Sequence, residues 1–175
     1  MRRRDLVGGL ALAACGLGTG QALAAAPARR PFRGRVDELR VVKHERRLYG
    51  YAGGVEVLTM NVALGIQPRG PKTREGDGRT PEGRYSIIAA RPDSDYYRSL
   101  LISYPNAEDK ARARAAGVRP GGQIMLHGLD PAIGAVWRDR HWMFNWTNGC
   151  VAVTNAEMDV LWGSVALGTP IEILA

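Results

Sequence analysis

Gln123-Ile124-Met125-Leu126-His127-Gly128 predicts a short strand ending on a histidine, with Met125 and His127 on one face and Ile124 and Leu126 on the other. Downstream, Trp146-Thr147-Asn148-Gly149-Cys150-Val151-Ala152-Val153 reads as a small-residue turn running straight into another β-like segment. A nucleophile needs an exposed side chain and backbone N–H groups free to stabilise an oxyanion, and Gly149 beside the Cys150 thiol permits both. A histidine at a strand end, followed by glycine, is well placed to meet that thiol, lower its pKa by pairing with the thiolate and return the proton later. Cys150 as nucleophile with His127 as base is one reading of these residues. A core cysteine and an unrelated histidine is the other, because a lone cysteine is often just a small buried hydrophobe.

His44 lies in the charged stretch Lys43-His44-Glu45-Arg46-Arg47 and reads as part of a solvated face, whereas His141, between Trp137 and Trp146, is the rival base. Three scattered histidines with no short-spaced ligand pair predict no metal site, and no cofactor motif is present.

Outward from this pair the chain is mainly β. Leu39-Arg40-Val41-Val42, residues 47–51 and residues 55–64 are short β-branched and aromatic runs, the last two split by Gly53-Gly54 as in a hairpin. Further strands are predicted at 83–90, 100–103, 123–127, 149–153 and 170–174. Two short helices interrupt them. The first spans about 107–116, with Asn106 as cap, Glu108 and Asp109 in its first turn and Gly117 past its end. Thr154-Asn155-Ala156-Glu157 opens the second as a capping box, and Met158, Leu161, Trp162 and Val165 then share one apolar face, which makes Met158 and Trp162 core residues.

The 175 residues are 45% hydrophobic, enough for one domain plus extras. Residues 1–26 carry Arg2, Arg3 and Arg4, an apolar run from Leu6 and the small-residue ending Ala22-Leu23-Ala24, the anatomy of a signal peptide. Arg3-Arg4-Asp5-Leu6-Val7 resembles a twin-arginine export signal, and the clean apolar stretch falls short of the roughly 20 residues a membrane span needs. Leu12-Ala13-Ala14-Cys15 also matches a lipobox, in which Cys15 becomes a lipidated first residue. Either way the expected destination is the periplasm or cell envelope, with membrane contact only through a lipid on Cys15. Export leaves Cys150 as the one free thiol in an oxidising compartment, which favours a functional role. Residues 27–38 read as a basic linker and 39–174 as the domain. The formal charge of +7 falls to roughly +5 without the leader, favouring anionic partners without choosing among them; no nucleic-acid signature appears.

His127-Gly128, a spacer, then Thr147-Asn148-Gly149-Cys150 resembles the signature of the L,D-transpeptidase (YkuD-type) catalytic domain, in which a histidine precedes a Ser/Thr-x-Gly-Cys turn. The stretch Gly76-Asp77-Gly78-Arg79-Thr80-Pro81-Glu82-Gly83-Arg84-Tyr85 is similar to the family's Thr-Pro-x-Gly-x-Tyr segment, and Gly70-Pro71-Lys72 before it also fits. The resemblance implies a β-rich, sandwich-like or barrel-like fold and a ping-pong reaction on peptidoglycan stem peptides. Cys150 would attack the carbonyl of the third stem-peptide residue and hold a thioester; an amine, free or on a wall-linked protein, would take the acyl group. It also implies His127 as proton shuttle, the Gly128 carbonyl as its orienting partner, and the Gly149 and Cys150 N–H groups as the oxyanion hole. An L,D-carboxypeptidase or amidase transferring to water, and a non-catalytic wall-binding module, are the alternatives on the same fold. Two departures stand out: Asn148 where most members carry a second histidine, and Ala152 where many carry an arginine that helps bind substrate. Arg79 could supply that charge, and Trp146, Thr147 and Asn148 are the further substrate-binding candidates. Trp137, Trp142, Phe144 and Trp146 crowd the spacer, either as a lid over an extended peptide or as loop residues folded onto the core.

The export reading predicts that replacing both Arg3 and Arg4 by lysine blocks translocation, since the twin-arginine route reads the guanidinium pair and not charge alone. Efficient export of the double-lysine form, followed by cell fractionation, would point to the general secretory route.

Overall fold

In a computed structural model that describes residues 32–175, the β-branched and aromatic runs become eight strands in one mixed sheet of order β3-β2-β1-β8-β4-β5-β6-β7. Their bounds are β1 Glu38–Val42, β2 Arg47–Ala52, β3 Val55–Asn61, β4 Gly83–Ser94, β5 Tyr97–Ile102, β6 Met125–His127, β7 Val151–Ala152 and β8 Pro170–Leu174. The signal peptide, the twin-arginine pair and Cys15 lie outside the described residues. In the segment read as a linker, Val36 is fully buried and bridges Val165, so its end packs on the domain.

β1, β2 and β3 form an antiparallel meander whose second turn is the Gly53-Gly54 pair, both at positive φ as a tight hairpin turn needs. β8 returns parallel to β1 and β4 pairs antiparallel with β8, while the other half of β4 pairs with β5 across two register shifts. Those irregularities bend β4 and let one strand serve both halves of the sheet. The open ends then meet. Just past β3, Ala63 exchanges both backbone hydrogen bonds with Ala152 of β7, at 3.0 and 2.9 Å, and Gly65 bridges Thr147. Val62, Ala63 and Leu64 are fully buried there, so burial on both sides drives the closure. The mainly β, barrel-like expectation therefore holds, with one side of the closure made by residues 62–65, which lie outside any strand.

Alternate residues of the strands, among them Leu39, Val41, Leu48, Ile87, Ile171 and Ile173, fill the core. Helix α1, Ala107–Ala115, starts at the Asn106 cap. Helix α3, Asn155–Ser164, opens with the Thr154–Glu157 capping box and buries Met158 and Leu161, while Trp162 is partly buried against the same core. The expectation of two helices needs correcting: α2, Pro131–Trp137, and a 3-10 helix, Arg138–Met143, fold inside the spacer. No residue of α2 is buried, so it carries no apolar periodicity. Only its start is written in the sequence, where Asp130 caps Ala132 and Ile133 and Pro131 occupies the first turn. Strand bounds moved as well: β5 begins at Tyr97 and β7 keeps only two residues.

Gly65 is the tightest point of the closure, since a Cβ there would stand 2.2 Å from the Gly78 carbonyl oxygen. Gly65→Ala should cost about 2 to 3 kcal/mol, read as a lower denaturation midpoint. Gly163→Ala, in α3 with open space around it, should be neutral or stabilising. Equal midpoints for Gly65→Ala and the unaltered protein would contradict the closure.

Candidate active site

β6 and β7 run parallel in the register Leu126 to Val151 and His127 to Ala152. Carried back one residue, this register sets Cys150 against Met125, and period-two alternation puts Cys150 on the same face as His127. The structure thus places Cys150, just before β7, on the face that carries His127 at the end of β6.

The cysteine turn is held from three sides. Thr147 Oγ1 donates to the Cys150 carbonyl at 2.8 Å and accepts the Gly149 N–H at 3.2 Å, closing the turn on itself. Leu64 and Ile66 bind the Thr147 backbone, and Gly65 N–H donates to the buried Thr80 Oγ1 at 3.0 Å. Gly149 has φ +127, and a Cβ on it would lie 2.6 Å from the Arg79 carbonyl oxygen, so only glycine fits. The Thr80-Pro81 segment therefore buttresses the turn from behind.

Gln123, at φ +56, a conformation few side chains adopt, aims its carbonyl at the thiol, which donates to it at 3.5 Å. The Met125 N–H faces the sulfur. Burial pushes the Cys150 thiol above its ordinary value, and the Met125 N–H and the Lys72 charge offset only part of this. That direction is opposite to the lowered thiol expected from pairing with His127.

His127 is 2% exposed, and its Nδ1 donates to the Gly128 carbonyl at 2.7 Å. A nitrogen facing a carbonyl must carry the hydrogen, so Nε2 holds the free lone pair. Burial brings the imidazole down to about 4, against the opposing pull of the Gly128 carbonyl, so it is neutral at pH 7. Tyr96 lies over it with ring centroids 4.6 Å apart, and Trp146 stands edge-on at 5.7 Å.

The remaining candidates separate. The Arg79 carbonyl packs on Gly149 while its guanidinium reaches toward Gly70, away from the turn. Thr147 is 5% exposed and its hydroxyl is taken up by the turn; Asn148 is exposed; Trp146 is part of the His127 cluster. Because the Gly149 N–H binds Thr147, it is not free for an oxyanion in this structure, whereas among the described residues the Cys150 N–H meets no acceptor. Residue reading missed Gln123, Tyr96 and the role of Lys72. Lys72 is 4% exposed and bonded to Asp77 at 2.8 Å. Burial raises the Asp77 carboxyl, but Lys72 and three backbone N–H groups outweigh it and bring it down to about 2. Among the described residues no three His, Cys, Asp or Glu side chains converge as metal ligands would, and no helix is long and apolar enough to cross a membrane.

His141, 1% exposed, is also brought down by burial to about 4, with the His127 charge adding to the effect. Unfolded chain binds these two protons near pH 6.5, folded chain only near pH 4, so acid favours unfolding. Stability should fall as pH drops from 6.5 to 4, by on the order of 3 kcal/mol per histidine, and hold above 6.5. Denaturant midpoints across this range, compared with His141→Phe, test it; a flat wild-type profile would contradict it.

The family model for the L,D-transpeptidase catalytic domain, YkuD, matches residues 37–173. YafK of Escherichia coli K12, an L,D-transpeptidase by provisional name, is 34% identical over 107 residues, 58% of this chain and 35% of YafK. The chain thus aligns with about a third of that relative's length. The crystal structure of Pgp2, the helical cell shape determining protein of Campylobacter jejuni, superposes with a TM-score of 0.60 at 23% identity, over 80% of this chain and 48% of Pgp2. Bd1075 of Bdellovibrio bacteriovorus does so with 0.55 at 23% identity, over 81% and 48%. At such identities the two structures speak for the fold. With the family model spanning the whole barrel-like domain and both halves of the cysteine–histidine face, the chain belongs to the L,D-transpeptidase catalytic domain family.

Proposed function

We propose that this protein is an exported peptidoglycan L,D-transpeptidase with Cys150 as nucleophile and His127 as base. The observation that carries the reading is the shared face of Cys150 and His127 in the β6–β7 register, with Nδ1 of His127 tied to Gly128 and Nε2 left open. In the resting protein the thiol points its hydrogen at Gln123 O. Bound substrate would turn it toward His127 Nε2, which takes the proton as sulfur attacks the carbonyl at the L-centre of the third stem residue. The Cys150 N–H is the oxyanion donor left free, and the Gly149 N–H joins it only if it leaves Thr147. Collapse of the tetrahedral intermediate breaks the bond to the terminal D-alanine, whose nitrogen receives the proton from His127. An incoming amine, deprotonated by His127, then takes the acyl group and the thiol regains its proton.

A neutral thiol beside a neutral imidazole fits this concerted transfer better than a standing thiolate–imidazolium pair. The Lys72 charge favours the thiolate as it forms, and Ala152, fully buried, stands where many of the family carry an arginine.

Purified sacculi or muropeptides incubated with the mature domain should release D-alanine and yield amine-linked products by mass. Cys150→Ala and His127→Gln should each remove most turnover while leaving the melting profile in place. Activity above a trace in Cys150→Ala overturns the nucleophile; D-alanine release without any amine-linked product assigns the enzyme to hydrolysis instead.

A further inference from the structure

His141 is 1% exposed, and among the described residues neither of its ring nitrogens has a hydrogen-bond partner. One ring away, Trp146 Nε1 is also buried without a partner among those residues. Indole nitrogen is a donor only, whereas a neutral imidazole always keeps one acceptor nitrogen. Burial keeps His141 neutral, so that acceptor exists at pH 7. The two rings stand edge to face, centroids 6.4 Å apart, and Trp146 also stands edge to face on His127 at 5.7 Å. Two buried orphans of complementary character, each costing about 1 to 3 kcal/mol if left unpaired, therefore sit in adjoining rings.

The segment bearing His141 is anchored independently of this contact. Arg46 donates to the Trp142 carbonyl at 2.9 Å and to Asn145 Oδ1 at 2.7 Å, tying the spacer to the β1–β2 turn on both sides of Met143 and Phe144. His141 is therefore a fixed post beside a ring that has no polar anchor of its own.

We infer that His141 is a positioning residue for His127: a ring nitrogen of His141 accepts the Trp146 Nε1 hydrogen, directly or across one water, and holds the indole against the imidazole. Tyr96 lies over His127 at 4.6 Å and also meets Trp146 at 6.2 Å, so the imidazole rests against two rings that touch each other while Gly128 fixes its tautomer. His141 touches no reacting atom; it acts through Trp146.

The inference rests on His127 being the base, so its test includes a readout that needs no turnover. In the full-length, 15N-labelled chain, the Trp146 indole hydrogen, assigned by its loss in Trp146→Phe, should exchange with solvent slowly. His141→Phe, which has no acceptor, should speed that exchange about tenfold and slow single-turnover acylation about tenfold with substrate affinity unchanged. His141→Gln or His141→Asn, whose amide oxygens accept, should restore both. In a Trp146→Phe background, the phenylalanine and amide variants should become equivalent. Should His141→Phe not fold, the comparison of His141→Gln with His141→Asn and with Trp146→Phe decides: both amides failing to protect the indole overturns the inference. Unchanged exchange in His141→Phe, or equal losses in all variants whatever stands at position 146, also overturns it. Wild-type inactivity with the indole pattern intact would sink the enzymatic reading and leave the His141–Trp146 pairing standing.

Discussion

The parallel register of β6 on β7 is the constraint on which the site depends. A one-residue slip of either strand would send Cys150 or His127 to the opposite face and part them. Two residues of β7 cannot hold such a register alone, so neighbouring contacts do it. Val153 N–H binds the His127 carbonyl at 3.0 Å on one side, and Ala63 exchanges two hydrogen bonds with Ala152 on the other. The closure that makes the sheet barrel-like is thus also what fixes Cys150, and the glycines at 65 and 149 permit the close backbone approach it needs.

Burial sets the chemistry of the pair as firmly as geometry does. Desolvation keeps Cys150 a thiol and His127 a neutral imidazole, against a partial counterpull from Lys72, Met125 and the Gly128 carbonyl. In the proposed reaction charge would develop only as substrate is attacked, when the same low-dielectric surroundings would strengthen each oriented donor. For a chain read as exported, a protonated thiol also resists oxidation, since the thiolate is the reactive form. His127 is enclosed by aromatic rings while Cys150 is part-exposed, so solvent reaches the cysteine residue more readily than the imidazole.

Much of this was legible in the residues because strands with alternating burial announce themselves: Leu39 and Val41, Leu48, Tyr85 and Ile87, and Ile171 and Ile173 are buried at period two. The Thr154–Glu157 capping box placed α3 to within a residue. What stayed illegible depends on tertiary neighbours. Helix α2 buries nothing and so has no pattern. Residues 62–65 look like the tail of β3, and nothing local says that Ala63 will pair with a residue far along the chain. The direction of the thiol shift could not be read from a Gly-Cys dipeptide, because it follows from how much of the barrel covers the sulfur. Nor does Gly70-Pro71-Lys72 announce that Lys72, buried on Asp77, would be the charge that bears on the Cys150 thiol.

The central claim is that sulfur of Cys150 becomes covalently acylated by a stem peptide. The most direct measurement is a rapid acid quench of the protein with a disaccharide-tetrapeptide, followed by intact mass and peptide mapping. The account predicts a transient adduct equal to the donor less its terminal D-alanine, located on the peptide containing Cys150 and discharged by an added amine. Product formed at full rate with Cys150 never modified would contradict it.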